Sequence, residues 1–166
     1  MSKHLFFKII LALVFASLFA GCMKSAQPDA PVAEAQDAAT TYRDNILLEG
    51  ANFTAANDKL VALLGDYQKD PEIIGRPDWQ AALQGELDEL ANTAKRMYVT
   101  NPPAQFTEAN EMMREAAAAL SNASKKCQQW IESGEADQTE LDRIIQSYWS
   151  GFLYYTKAVT MVVSAV

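Results

Sequence analysis

Hydrophobic residues recur at alternating steps of three and four along most of this chain, which is the spacing of one face of an α-helix. The longest unbroken run lies near the C-terminus and comprises Leu141, Ile145, Tyr148, Phe152, Tyr155, Val159, Val162 and Val166. A heptad seam of this kind is stable only when other helices cover it. The run therefore predicts a long helix that packs within a bundle.

Three earlier segments show the same periodicity and predict helices at about 35–67, 77–97 and 104–133. The first stripe comprises Ala39, Tyr42, Ile46, Phe53, Ala56, Leu60, Leu63 and Tyr67. The second comprises Trp79, Leu83, Leu87, Leu90, Ala94 and Met97. The third comprises Phe106, Met113, Ala117, Leu120, Ser124, Cys127 and Ile131.

Residues that end or begin helices separate these segments. Pro71 and Pro77 interrupt the chain after the first stripe, and Pro77 suits the first position of a new helix. Gly134 is typical of a helix C-terminus, and Asp137 with Glu140 three residues later indicates the start of the fourth helix. Four helices with short connections predict an all-α fold, an antiparallel up-down-up-down four-helix bundle.

The first stripe has one gap, at Glu49. If Glu49 lies in the core, it requires a partner for its charge. The alternative that we favour is that the stripe drifts, so that Leu48 or Asn52 faces inward and Glu49 lies at the edge.

The N-terminus has a different pattern. Lys3 and Lys8 precede the short apolar run Ile9–Ala20, which ends in small residues and then Cys22. This run is too short to span a bilayer and has the organisation of a signal peptide. With Ala20-Gly21-Cys22 at the cleavage position, it resembles the lipobox of bacterial lipoproteins; the alternative is an ordinary secretory signal in which Cys22 is incidental.

The lipoprotein resemblance implies cleavage before Cys22, a diacylglycerol on its sulfur and an acyl chain such as palmitate on its amine. It divides the chain into a signal peptide (1–21), a lipidated Cys22 with a flexible tether (22–36) and a four-helix domain (37–166). Met23 follows the cysteine. In a host with two membranes, the resemblance then implies sorting to the outer membrane, with the domain in the periplasm or at the surface.

The charge balance restricts the partners of this protein. The chain carries 14 basic and 21 acidic side chains, a net charge of -7, and loss of Lys3 and Lys8 with the signal makes it more negative. Nucleic-acid binding requires a cationic surface, so we expect no nucleic-acid partner. The same sign argues against broad binding to anionic lipid headgroups.

The histidine content restricts the chemistry. The one histidine, His4, lies in the predicted signal. Without it, a Ser-His-Asp unit, a histidine-ligated haem, a Glu-x-x-His di-iron site and the usual zinc sites lack their ligands. The sequence therefore predicts no catalytic site, no cofactor and no metal.

Carboxylates are the remaining candidates for metal binding. They cluster in two groups, Glu86, Asp88 and Glu89, and Glu108, Glu111 and Glu115. These groups either bind a divalent cation weakly or, as we favour, form solvated helix faces.

Cys127 is the one cysteine that remains after Cys22. Because it has no partner in the chain, no internal disulfide is expected. Its position in the third stripe predicts a buried hydrophobe rather than a reactive thiol.

The fourth helix has more apolar surface than one seam requires. Five large side chains lie outside the seams as a possible partner-binding surface: Trp149, Leu153, Tyr154, Met161 and, on the third helix, Trp130. The alternative is that a wide core buries them all.

These features predict a lipid-anchored cell-envelope protein that acts as a non-enzymatic binding, structural or assembly module. The alternative function is a carrier that holds an apolar small molecule or lipid. Such a carrier requires a cavity lined by Phe152, Tyr155, Leu120 and Met113.

Overall fold

The computed structural model describes residues 30–165, and within them every element is helical. Four long helices are present: α1 (Ala30–Lys69), α2 (Pro77–Met97), α3 (Thr107–Ser133) and α4 (Gln138–Ser164). Two short 3-10 helices, Pro71–Gly75 and Ala104–Phe106, lie in the connections. The prediction of an all-α fold with four helices is confirmed. No helix in residues 30–165 has the length and apolar character needed to cross a membrane.

The start of α1 differs from the prediction. It begins at Ala30 rather than near residue 35, so residues 30–36, assigned above to a flexible tether, are helical. The reason lies in local propensity: proline is tolerated in a first helical turn, and the alanine-rich run after Pro31 favours helix. The predicted signal peptide and Cys22 lie outside the described residues.

The other helix boundaries follow the local signals. Pro77 occupies the start of α2. Gly134 ends α3 in the left-handed conformation, with φ of 69°. The Asp137 carboxylate caps α4 by accepting a hydrogen bond from the Thr139 backbone N–H at 2.8 Å. Glu140 forms an ion pair with Arg143, whose Nη1 atom lies 2.7 Å from Oε2 of Glu140.

The core contains side chains from all four long helices. All six predicted positions of the α2 stripe are buried. The buried positions of α4 are Leu141, Ile144, Tyr148, Gly151, Tyr155, Ala158 and Val162. The predicted seam residues Ile145, Phe152 and Val159 are only half-buried, so the seam prediction for α4 is partly wrong.

Small residues explain this shift of the α4 seam. Cα atoms of α3 and α4 come within 8 Å of each other at many positions. A Cβ atom on Gly151 would lie 2.6 Å from Cγ of Leu120 and 3.2 Å from the backbone oxygen of Ala116. The α3–α4 contact therefore selects glycine and alanine, which a search for large apolar residues passes over.

Large side chains hold α1 instead. The Phe53 ring stacks on the Tyr155 ring of α4 with centroids 3.6 Å apart. The Tyr148 hydroxyl donates a hydrogen bond to Asn57 Oδ1 at 2.7 Å, and both residues are buried. Stacked aromatic rings and a buried hydrogen bond therefore join α1 to α4.

We expect Gly151→Ala to destabilise the protein by about 1–3 kcal/mol, because the added methyl overpacks the contact with Leu120. This loss exceeds the helix-propensity gain of about 1 kcal/mol that alanine brings. Gly85→Ala is the matched control, since a Cβ atom there meets no atom within 4 Å. That substitution should stabilise α2. Urea unfolding of both variants measures the difference, and a stabilised Gly151→Ala protein would contradict the close packing.

Candidate functional site

The five candidate partner-binding residues occupy three different environments. Leu153 is 66% exposed, while Trp149 and Tyr154 are 36% and 39% exposed. Met161 is half-buried against the core. Trp130 is itself a core residue, 3% exposed, and is therefore removed from the candidate surface as a correction.

The exposed candidates lie on two sides of α4. Trp149 and Leu153 are four residues apart and share one side, because a helix turns once every 3.6 residues. Tyr154 is seven residues after Ser147, whose hydroxyl accepts a hydrogen bond from Lys126 Nζ of α3. Tyr154 therefore lies on the side of α4 that faces α3, and the predicted residues do not form one continuous surface.

Two leucines on α1 are also exposed. Leu47 and Leu48 are 39% and 68% exposed. Leu47 is three residues before Gly50, where a Cβ atom would lie 3.4 Å from the Tyr155 hydroxyl of α4. Leu47 therefore lies on the edge of α1 that borders α4.

We call the exposed residues Leu47, Trp149 and Leu153 the α1–α4 patch. Leu48 is not part of it, because Leu48 is three residues after Asn45, whose side chain donates a hydrogen bond to the Arg96 carbonyl oxygen of α2, and so lies on the α2 side of α1. The sequence analysis did not assign Leu47 to any surface and expected Leu48 to face inward as one alternative. The available signal was the pair of adjacent leucines beside the gap in the first stripe, since two neighbouring positions on a helix cannot both face the core.

The α1–α4 patch lies in helix segments of an acidic chain that carry few charges, with Asp44 and Lys157 one turn away from Leu47 and Leu153. Helix α4 has no charged residue from Ile144 to Thr156, and α1 has only Glu49 from Asn45 to Asn57. Glu49 points to α2, not to α4, because it pairs with Arg96. A patch of this kind suits an apolar protein surface better than a charged one.

Glu49 fills the gap in the first stripe with an ion pair. Its side chain is 14% exposed, and its Oε2 lies 3.0 Å from Nε of Arg96. Leu48 is exposed and so is Asn52, so the interpretation that one of them replaces Glu49 in the core is wrong. The hydrogen bond to Glu49, together with a further one to Glu89, raises the pKa of Arg96 above its ordinary value.

We expect Arg96→Met to destabilise the protein by about 1 kcal/mol, because it leaves the largely buried Glu49 carboxylate without its cation. Adding Glu49→Gln to that variant should recover most of the loss. The matched control is Arg114→Met, because Arg114 pairs with Glu111 on an exposed surface and its loss should change the unfolding midpoint little. Equal losses in the two single variants would contradict a special role for the Glu49–Arg96 pair.

The carboxylate clusters are engaged in surface contacts. The Asp88 carboxylate accepts hydrogen bonds from Ser124 and Gln84, and Glu111 Oε2 lies 2.7 Å from Nη2 of Arg114. Within residues 30–165, no group of three acidic, histidine or cysteine side chains is close enough to hold a metal ion. These contacts favour the interpretation as solvated helix faces.

Cys127 is fully buried. Burial raises the pKa of its thiol to about 12, and the nearby negative charge of Asp88 acts in the same direction. The thiolate is the nucleophilic form of cysteine, so this environment suits the predicted role as a small hydrophobe.

The residues proposed to line a carrier cavity are part of the packed core. Met113 and Leu120 are fully buried, and Leu120 fills the space beside Gly151. Phe152 and Tyr155 pack around Phe53. A separate groove of about 470 Å³ lies on the α2–α3 surface, lined by Ala81, Gln84, Gly85, Asp88, Gln128, Ile131 and Glu132.

Comparisons of this chain with protein-family models, curated proteins and solved structures found no match.

Proposed function

We propose that this protein is anchored to the cell envelope by lipid on Cys22 and acts there by binding another envelope protein through the α1–α4 patch, without catalysing a reaction. The observation that carries the proposal is the exposure of the apolar side chains of Leu47 and Leu153 on an acidic chain. In a host with two membranes, the proposed location is the outer membrane.

The proposal includes the arrangement of the folded domain, 37–166, as an up-down-up-down bundle. Contacts between helices support this order, because they show that neighbouring helices are antiparallel: a later residue on one helix contacts an earlier residue on the other. Lys59 pairs with Glu86 while Glu49 pairs with Arg96, which relates α1 to α2 in this way. Asn57 and Phe53 of α1 contact Tyr148 and Tyr155 of α4 in the same sense.

The chemistry of the α1–α4 patch supports protein binding. Exposed leucine side chains such as Leu153 lose their contact with water when a partner covers them, and burial of apolar area stabilises a complex. Trp149 adds a large aromatic side chain at the edge of the patch, and tryptophan is enriched among residues that dominate binding energy.

Copurification from detergent-solubilised envelopes tests the binding surface. The variant Leu47→Ser with Leu153→Ser should lose the partner that wild type retains, while its unfolding midpoint should change little, since exposed substitutions seldom alter stability by more than about 0.5 kcal/mol. Tyr154→Ser is the matched control, because Tyr154 is an exposed apolar residue on the other side of α4. Identical partners in all three proteins would overturn the assignment of the patch.

Metabolic labelling with radioactive palmitate tests the anchor separately. Wild type should incorporate label and fractionate with membranes, and Cys22→Ser should do neither. An unlabelled wild-type protein that is freely soluble would remove the anchor from the proposal and leave the α1–α4 patch to the copurification test.

The carrier function remains the alternative. Mass spectrometry of the protein purified in mild detergent distinguishes the two functions, because a carrier should retain an apolar small molecule. A ligand released only on unfolding would favour the carrier over protein binding.

A further inference from the structure

The two ends of the helical domain differ strongly in charge. At one end lie the connections from α1 to α2 and from α3 to α4, and segments 66–78 and 132–143 there contain nine acidic and three basic side chains. At the other end, residues 97–107 and the last residues of α4, 158–165, contain no charged side chain. We call this second end the neutral end.

Contacts between helices place the two uncharged segments of the neutral end together with the beginning of α1. The Tyr42 ring stacks on Phe106 with centroids 5.2 Å apart, next to the α2–α3 connection. Two contacts show that α3 and α4 are antiparallel. Gly151 of α4 lies beside Leu120 of α3, whereas Ser147, earlier on α4, contacts Lys126, later on α3. The end of α4 therefore lies beside the start of α3.

Hydrogen bonds to the Asn110 side chain fix the α2–α3 connection at the neutral end. Asn110 is 5% exposed, accepts a hydrogen bond from the Val99 backbone N–H at 2.8 Å and donates one to the Val99 carbonyl oxygen at 2.9 Å. The Tyr42 hydroxyl donates a third hydrogen bond to the same side-chain oxygen at 3.3 Å. These bonds hold the α2–α3 connection in one conformation in which the Val99 side chain is 36% exposed.

Charged residues around the neutral end are balanced. Exposed Lys95, Arg96 and Lys157 lie on α2 and α4 near this end, together with exposed Glu34 and Asp37 of α1 and Glu108 of α3. The neutral end therefore carries little net charge, whereas the end formed by 66–78 and 132–143, the acidic end, is repelled by a negative lipid surface.

From this charge distribution we infer that the neutral end of the domain faces a lipid bilayer, with the start of α1, Val99 and the end of α4 on the side of the lipid headgroups and the acidic end directed away. The inference rests on the proposed anchorage at Cys22. Seven residues lie between Cys22 and the start of α1 at Ala30, so eight steps of up to about 3.6 Å give a path of no more than about 29 Å. Helix α1 extends about 18 Å from Tyr42, which stacks on Phe106, to Ala30, so this connection starts on the side of the neutral end.

Photo-cross-linking to lipid tests the orientation. The polypeptide from Cys22 to Val166 is coupled through the Cys22 thiol to a maleimide lipid in phosphatidylcholine vesicles that contain some phosphatidylglycerol and a lipid with a diazirine in its headgroup. Cys127 is buried and does not compete for the maleimide. Because the coupling is chemical, the result does not depend on whether cells acylate Cys22, which the palmitate experiment tests.

Tryptic peptides then report which end contacts lipid. Cross-links should concentrate in peptides 97–114 and 158–166 and be few in peptide 127–143, which covers the acidic end. Val99→Glu places a carboxylate in the neutral end and should lose most of the cross-links in 97–114, whereas Gln138→Glu at the other end should lose none. Equal cross-linking of the two ends, or a preference for 127–143, would overturn the inference.

Discussion

Phe53→Ala should destabilise the protein by about 3–5 kcal/mol, the usual cost of removing a buried aromatic ring. Phe53 has no exposed surface and stacks on Tyr155, and Phe152 lies near it with ring centroids 6.5 Å apart. Because these rings form contacts between α1 and α4, loss of the Phe53 ring weakens the attachment of the whole helix.

Urea unfolding measured by circular dichroism gives the size of the Phe53→Ala effect. Leu153→Ala is the matched control, since it also truncates a large apolar side chain but one that is 66% exposed. Its unfolding free energy should stay within about 0.5 kcal/mol of wild type. Similar losses in the two variants would show that Phe53 is not a central contact of the core.

Raising the pH from 8 to 11 should destabilise the protein by about 4 kcal/mol or more, because buried acidic groups must stay protonated in the folded state. Burial raises the pKa of the Cys127 thiol to about 12 and that of the Tyr155 hydroxyl to about 12. Burial also raises the pKa of the Tyr148 hydroxyl.

The sign of this pH dependence follows from the unfolded chain, where a thiol and a phenol ionise near pH 9 and 10. The unfolded chain loses these protons first. Stability is therefore full below about pH 9 and falls by about 1.4 kcal/mol per pH unit for each group, until the pH reaches the folded pKa.

Urea midpoints at constant ionic strength between pH 7 and pH 12 measure this loss. Cys127→Ala should reduce the fall of the urea midpoint between pH 9 and 10, where the thiol is the main titrating group. Tyr155→Phe should reduce the fall of the midpoint above pH 10. A midpoint that stays constant to pH 11 in wild type would contradict burial of these groups.

Local sequence signals predicted most of the helix boundaries. Pro77, Gly134 and Asp137 act on their own backbone or on that of near neighbours, so their effects do not depend on the rest of the fold. The start of α1 was misplaced because Pro28 and Pro31 suggested a tether, although proline near a helix start is compatible with helix.

The candidate site was harder to predict than the fold. Trp149 and Leu153 were identified correctly as surface residues, but Trp130 is buried and Leu47 was not considered. On α3 and α4 the sequence shows many apolar residues, and the choice of which face the core depends on the neighbouring helix.

By itself, the sequence determined that this chain forms four helices and that α2 buries one regular stripe, because periodicity and helix-ending residues act over a few positions. Only the tertiary structure decided that Gly151 and Ala158 lie in the α4 seam, that Glu49 pairs with Arg96 and that Leu48 faces water. These outcomes depend on the side chains that another helix places opposite each residue. Those side chains are distant in the sequence, so a local pattern does not reveal them.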